Sequence, residues 1–136
     1  MNEKMKHLEM IQAVINRMAG NSFMLKGWAI TLVTGIFALS DRDTSKVTFL
    51  LIFVPTLGFW FLDTYYLMLE HLYRNLYNIV RQKDNETIDF DMNVYQIELK
   101  VQRSIYIKGL FSISEICFYI PITLMSIAII IFTSII

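Results

Sequence analysis

The sequence predicts an all-α integral membrane protein, a helical bundle of three transmembrane helices with cytoplasmic helical extensions. The first supporting observation is a composition that is 55% hydrophobic and only 18% charged, whereas about 25% of the residues in soluble domains are charged. The second is the presence of three long apolar stretches that each hold a single charge. The third is a set of charged segments beside them that have the periodicity of amphipathic helices.

The three apolar stretches are predicted to be transmembrane helices at residues 22–40, 47–69 and 110–134. Each approaches or exceeds the roughly 20 residues that a helix needs to cross the hydrocarbon core of a bilayer. A soluble protein of 136 residues could bury one such helix, but not three. Because backbone groups in lipid must hydrogen-bond within their own segment, these stretches should be helices. The polar link at 41–46 is short enough to enforce an antiparallel hairpin.

The remaining segments are predicted to be the polar part of a single membrane domain that covers residues 1–136. Segment 1–20 has apolar residues at spacings of three and four, which is typical of an amphipathic helix. The residues Gly20–Asn21–Ser22 are expected to bend or cap the chain before the first span. Region 70–108 is expected to hold cytoplasmic helices around an acidic loop at 84–93. A helical apolar stripe is expected to lead into the third span: Val94, Ile97, Val101 and Ile105.

The basic residues predict the orientation of the chain. Three precede the first span and six lie in 70–108, whereas two lie in 41–46 and none follows the third span. Basic residues beside membrane spans are concentrated on the cytoplasmic side. We therefore expect a multi-pass protein of the bacterial inner membrane, with its N-terminus in the cytoplasm and its C-terminus outside.

Lys26, Asp63 and Glu115 are the candidate functional residues, because a charge inside a membrane span is costly and requires a compensating partner. Counted at about 1.5 Å per residue, Lys26 and Asp63 lie at similar depth, which permits an ion pair with Glu115 nearby. One interpretation is structural: Lys26 and Glu115 extend to the membrane surface, and any pair only stabilises the bundle. The other is a polar constriction or ion site at the inner mouth of a pore.

Gly27, Thr31 and Gly35 recur every fourth residue on one face of the first span. Such a stripe of small residues lets two helices approach closely, either within one chain or between chains. Because three spans make a thin bundle, we expect a homo-oligomer in either case.

The sequence holds no motif that indicates catalysis, a metal or a cofactor. HExxH, CxxC and glycine-rich phosphate loops do not occur in it, and the acidic loop lacks the spacing of a calcium-binding EF-hand. The twelve basic and twelve acidic residues balance. We therefore expect no cofactor and no direct binding of nucleic acid, which calls for a basic surplus.

Three segments, QAVINRMA at 12–19, NSFMLKGW at 21–28 and FWFLDTYY at 59–66, resemble a group of small bacterial membrane proteins with three spans. The resemblance covers residues 1–80. Some small multi-span proteins of this general kind act as membrane effectors in antiviral defence, beside a soluble sensor. The resemblance thus implies an oligomeric effector or channel-like protein without enzymatic activity. Such a protein would perturb the membrane when a cytoplasmic protein or small molecule engages its helical extensions.

Two other functions are compatible with the same features. The spans could be a membrane anchor or scaffold whose cytoplasmic helices recruit a soluble partner. An N-terminal amphipathic helix followed by three spans also resembles bacterial diacylglycerol kinase, a small membrane enzyme. The acidic Glu/Asn signature of that enzyme around its second span does not occur here. The residues that come closest to such a signature are Asp63 and Glu70, which are seven residues apart.

Overall fold

Two long helices form a hairpin on which the rest of the chain packs. The computed structural model describes residues 2–39 and 46–135. Helices make up most of these residues: α1 at Glu3–Leu39, α2 at Lys46–Gln82, α3 at Leu99–Leu110 and α4 at Ile113–Ile135. No strand occurs in the two described ranges. The predicted all-α class is confirmed.

Three of the helices, α1, α2 and α4, are long and apolar enough to cross a membrane, and they cover most of the three predicted spans. The third helix of this kind begins at Ile113, three residues after the predicted start at 110, because residues 111–112 interrupt the helix. α1 and α2 have 37 residues each, which gives about 55 Å at 1.5 Å per residue, against a hydrocarbon core of about 30 Å. Each therefore has an apolar half and a polar half. The apolar half of the protein comprises residues 22–39, 46–64 and 113–135, and the polar half comprises residues 3–21 and 65–110.

The contacts between α1 and α2 show that the two helices run antiparallel. Ile11, near the start of α1, packs with Val80, near the end of α2, whereas Ser22 contacts Asp63. The antiparallel arrangement is therefore as predicted, although the link predicted at 41–46 lies outside the described residues except for its last one. The buried side chains of α1 recur mainly at intervals of three and four residues, as on one helix face: His7, Ile11, Ile15, Met18, Ser22, Ala29 and Val33.

The connection between α2 and α3 closes the polar half. Val94 in this connection is buried against Met68 and Leu72 of α2. His7 of α1 is fully buried, and its Nε2 lies 3.1 Å from the backbone oxygen of Asp91. The connection therefore contacts both helices of the hairpin and gives the polar half a core of its own.

The predicted bend at Gly20–Asn21–Ser22 is wrong, because α1 passes through these residues without interruption. Glycine in a helix interior costs only about 1 kcal/mol relative to alanine. The packing of α1 against α2 on both sides of Gly20 outweighs that cost. Ser22, which was predicted to lie at a bend or cap, instead donates a hydrogen bond to a side chain of α2.

The third span is also joined to the polar half differently from the prediction. α3 begins only at Leu99, so Val94 and Ile97 belong to the connection and not to a helix. Phe111 and Ser112 then separate α3 from α4. The third span is therefore not a continuation of one cytoplasmic helix, because a break lies where the polar and apolar halves meet.

Candidate functional site

Lys26, Asp63 and Glu115, one from each of the three apolar helices, meet in a single cluster. The Nζ of Lys26 lies 2.7 Å from the Oε1 of Glu115 and also forms an ion pair with Asp63. Asp63 and Glu115 are fully buried, and the side chain of Lys26 is 16% exposed. The ion pair that the sequence permitted is therefore present, and it joins α1, α2 and α4 at one level.

Local features of α3 and α4 hold the cluster at the boundary between the two halves. Glu115 lies in the first turn of α4, and its backbone N–H donates to the Oγ of Ser112 at 3.4 Å. Ser112 thereby caps the N-terminus of α4 and fixes the position of Glu115 in the first turn. A Cβ atom at Gly109 would lie 3.3 Å from the Cγ2 of Thr64. The glycine therefore lets α3 approach α2 closely, one residue away from Asp63.

Lys26 and Asp63 form an ion pair in which each group makes three hydrogen bonds. The ammonium of Lys26 donates to Ser22 at 3.2 Å, to Glu115 at 2.7 Å and to Asp63. Asp63 in turn accepts three hydrogen bonds, from Lys26, from Ser22 and from the hydroxyl of Tyr119 at 3.0 Å. Charge-assisted hydrogen bonds of this kind are the stronger ones in proteins.

Glu115 is bonded much less completely than Asp63. Its Oε1 accepts one hydrogen bond, from Lys26, whereas its Oε2 is buried without a hydrogen-bond partner among the described residues. The cluster contains one ammonium and two carboxylates, and an uncompensated buried charge is costly. Asp63 is stabilised by three donors. The negative charge that Lys26 does not neutralise is therefore assigned to Glu115, the less completely bonded carboxylate.

Ser22 and Tyr119 complete the cluster, and neither was among the predicted site residues. Helical spacing could have identified both, because Ser22 precedes Lys26 by four residues and Tyr119 follows Glu115 by four. Tyr119 is fully buried and stacks on Trp60, with ring centroids 5.7 Å apart. We call these five residues the Lys26 cluster: Ser22, Lys26, Asp63, Glu115 and Tyr119.

The small-residue stripe lies on a different side of α1 from the Lys26 cluster. Gly27 and Thr31 are exposed, and Gly35 is half-buried. A Cβ atom at either glycine would meet no atom within 4 Å in the part of the chain that the structure describes. The sequence left open whether the stripe packs within one chain or between chains. Packing within one chain is not found among the described residues.

Glu70 does not belong to the Lys26 cluster, because it forms an ion pair with Arg74 on its own helix at 2.6 Å. In ranges 2–39 and 46–135, no group of three or more His, Cys, Asp or Glu side chains could hold a metal ion. The site is therefore an ion-pair network that joins helices. Known proteins give no further guide, since no family model, no curated protein and no solved structure matches this chain.

Proposed function

We propose that this chain is a non-enzymatic protein of the bacterial inner membrane, with its N-terminus in the cytoplasm and its C-terminus outside. It acts as an oligomeric, channel-like effector that perturbs the membrane when a cytoplasmic protein or small molecule engages the polar half. The observation that carries the proposal is the Lys26 cluster, which joins all three candidate spans where the polar half begins. Ionisable residues inside spans often mark ion pathways and gates.

The Lys26 cluster is placed to act as a latch between the two halves. α1 and α2 run from the polar half into the apolar half without interruption, so a displacement of the polar half reaches the cluster through rigid helices. α4 is separated from α3 by two residues, which gives the chain a place to bend. Loss of the contact between Lys26 and Glu115 removes the ion pair between α4 and α1. α4 then remains attached to α2 through the hydrogen bond of Tyr119 to Asp63.

An oligomer is supported by how little of the apolar half is covered within one chain. Only 11%, 22% and 17% of the most apolar windows of α1, α2 and α4 are buried. The stripe of Gly27, Thr31 and Gly35 is open toward the outside of α1, where small residues permit close approach by a helix of a second copy. Several copies are needed for a pore, because a bundle of three spans is too thin to enclose one.

The membrane potential of living cells tests this proposal. We expect induction of Glu115→Ala to depolarise cells that tolerate the unsubstituted chain, as reported by a potential-sensitive dye, because the variant removes the ion pair that holds α4 to α1. The matched control is Glu115→Gln, whose amide oxygen still accepts a hydrogen bond from Lys26. Equal membrane potentials in the two variants, at matched amounts of protein in the membrane, would refute the latch.

A membrane anchor or scaffold is the second candidate, and exposed apolar side chains of the polar half favour it. Leu99 is 80% exposed, Ile79 55% and Met5 54%, and a recruited soluble protein would cover such residues. The same variants distinguish the two candidates. An anchor retains its soluble partner in a pull-down and leaves the potential unchanged in both variants, whereas an effector depolarises the cell with Glu115→Ala alone.

A further inference from the structure

A cavity of about 510 Å³ opens between α2, α3 and the start of α4. No member of the Lys26 cluster lines it. Its lining includes three apolar side chains, Leu67, Met68 and Ile105. It also includes the cationic side chains of Arg74 and Lys108 and the imidazole of His71. The cavity therefore combines apolar and basic side chains.

The cavity lies at the level where the polar and apolar halves meet. Gly109, which contacts Thr64 of α2, is part of its lining, and so are Ser112 and Ser114 at the start of α4. In a chain that crosses the membrane as proposed, this level is the depth of the phospholipid headgroups. The hydroxyl groups of the two serines add hydrogen-bond donors suited to phosphate oxygens.

The charges of the lining favour an anionic occupant. Its one carboxylate, Glu70, is already paired with Arg74 at 2.6 Å. Lys108 is exposed and has no ion-pair partner in the described part of the chain. His71 is also exposed. Lys108 is therefore the free cation of the cavity, and the first turn of α4 beside it adds the partial positive charge of a helix N-terminus.

We propose that this cavity binds the headgroup of an anionic phospholipid, with Lys108 as the principal contact of the phosphate. Basic pockets between membrane helices on the cytoplasmic side bind such headgroups. The inference rests on the proposed membrane insertion and orientation. A lipid bound here contacts α2 on one side and the α3–α4 break on the other. It therefore contacts the start of α4 at Ser114, the residue next to Glu115. The inference deepens the proposed function by naming a ligand that stabilises the contact between Glu115 and Lys26.

Native mass spectrometry of the full-length protein in mild detergent tests the site. We expect the unsubstituted protein to retain phosphatidylglycerol in preference to phosphatidylcholine. Lys108→Gln should weaken retention of phosphatidylglycerol about fivefold, which corresponds to about 1 kcal/mol for one basic residue. The matched control is Lys100→Gln, which removes the same charge from α3 outside the cavity and should leave retention unchanged.

Three results would overturn the proposal. The first is equal retention of both lipids by the unsubstituted protein. The second is an equal loss in Lys108→Gln and Lys100→Gln, which would show only general attraction between charges. The third is displacement of phosphatidylglycerol by inorganic phosphate, which would assign the site to a soluble anion. Failure of membrane insertion is a separate outcome, because the protein would then be recovered from cells without detergent.

Discussion

Replacement of Lys26 by methionine should destabilise the bundle by about 3–5 kcal/mol, the usual cost of removing one partner from a buried ion pair. Methionine keeps most of the apolar stem and removes only the ammonium. Asp63 then loses one of its three donors, and Glu115 loses the only donor that it has among the described residues. Both carboxylates are fully buried, so neither can recover a donor from solvent without rearrangement of the helices.

Two opposing effects determine this magnitude. The ammonium of Lys26 makes three hydrogen bonds, and each hydrogen bond to a charged group contributes about 1.5–3 kcal/mol. Solvent screening reduces this little, since the side chain is 16% exposed. Protonation of a stranded carboxylate limits the loss, because a buried acid without a partner becomes neutral. The expected total is therefore below the sum of the three contacts.

The assay is denaturant unfolding of the purified protein in detergent micelles, followed by tryptophan fluorescence. Of the two tryptophans, Trp60 reports on the cluster because it stacks on Tyr119. Glu115→Gln alone should change the free energy of unfolding by less than about 1 kcal/mol, because it removes the surplus charge and keeps an acceptor. In the double variant Lys26→Met/Glu115→Gln, about 1–2 kcal/mol of the loss should be recovered, a coupling within the range for residues in one network.

Either of two results would refute this reasoning. A loss of less than about 1 kcal/mol in Lys26→Met, the range of exposed pairs, would mean that solvent reaches the cluster. Additive effects of Lys26→Met and Glu115→Gln would mean that the two groups do not interact in the folded protein.

Four further substitutions test other parts of the structure. Tyr119→Phe should cost about 1.5–3 kcal/mol of unfolding free energy, since its hydroxyl donates to a buried carboxylate at 3.0 Å. In thermal melts, Gly20→Ala should stabilise by about 0.5–1 kcal/mol, because its Cβ meets open space, whereas Gly109→Leu should destabilise by about 1–3 kcal/mol through its contact with α2. The hydrogen bond from Lys83 lowers the pKa of Asp89, so Lys83→Gln should raise that pKa in an NMR titration.

Each of these predictions has a contrasting outcome. Tyr106→Phe, which removes a hydroxyl from an exposed contact, should cost less than Tyr119→Phe, and equal costs would contradict the assigned strength. A stabilising Gly109→Leu would contradict the close approach of α3. The lowered pKa of Asp89 makes a contribution to stability that is present above the unfolded pKa of about 3.9 and lost as the pH falls through the folded pKa. If Asp89 instead made the protein more stable as the pH fell through this range, the predicted direction would be wrong.

Lys26, Asp63 and Glu115 could be predicted from the sequence because a charge inside an apolar segment is a local signal. Counting residues along each helix was enough to place Lys26 and Asp63 at one depth. The sequence could not show how unequally the two carboxylates are bonded. That difference depends on Ser22 and Tyr119, which are uncharged and resemble ordinary residues of a span.

The sequence predicted the joints between helices less well, because tertiary packing decides them. α1 continues through Gly20 since its contacts with α2 lie on both sides of the glycine. The break between α3 and α4 contains no proline, and its cap, Ser112, is recognisable only once α4 is known to begin at Ile113. The spacing of Val94 predicted a helical residue. Val94 instead lies in the irregular connection between α2 and α3, where it is buried against α2.

The two carboxylates of the Lys26 cluster give α4 and the hairpin different roles. The pair of Lys26 and Asp63 lies within the α1–α2 hairpin, which is packed on both sides of it. The pair of Lys26 and Glu115 is the only ion pair between α4 and the hairpin in the described ranges. When this pair breaks, Lys26 keeps Asp63 as its partner, and Glu115 must become neutral or reach solvent as α4 moves. We therefore expect α4 to move in an active state, with the break at 111–112 absorbing its motion.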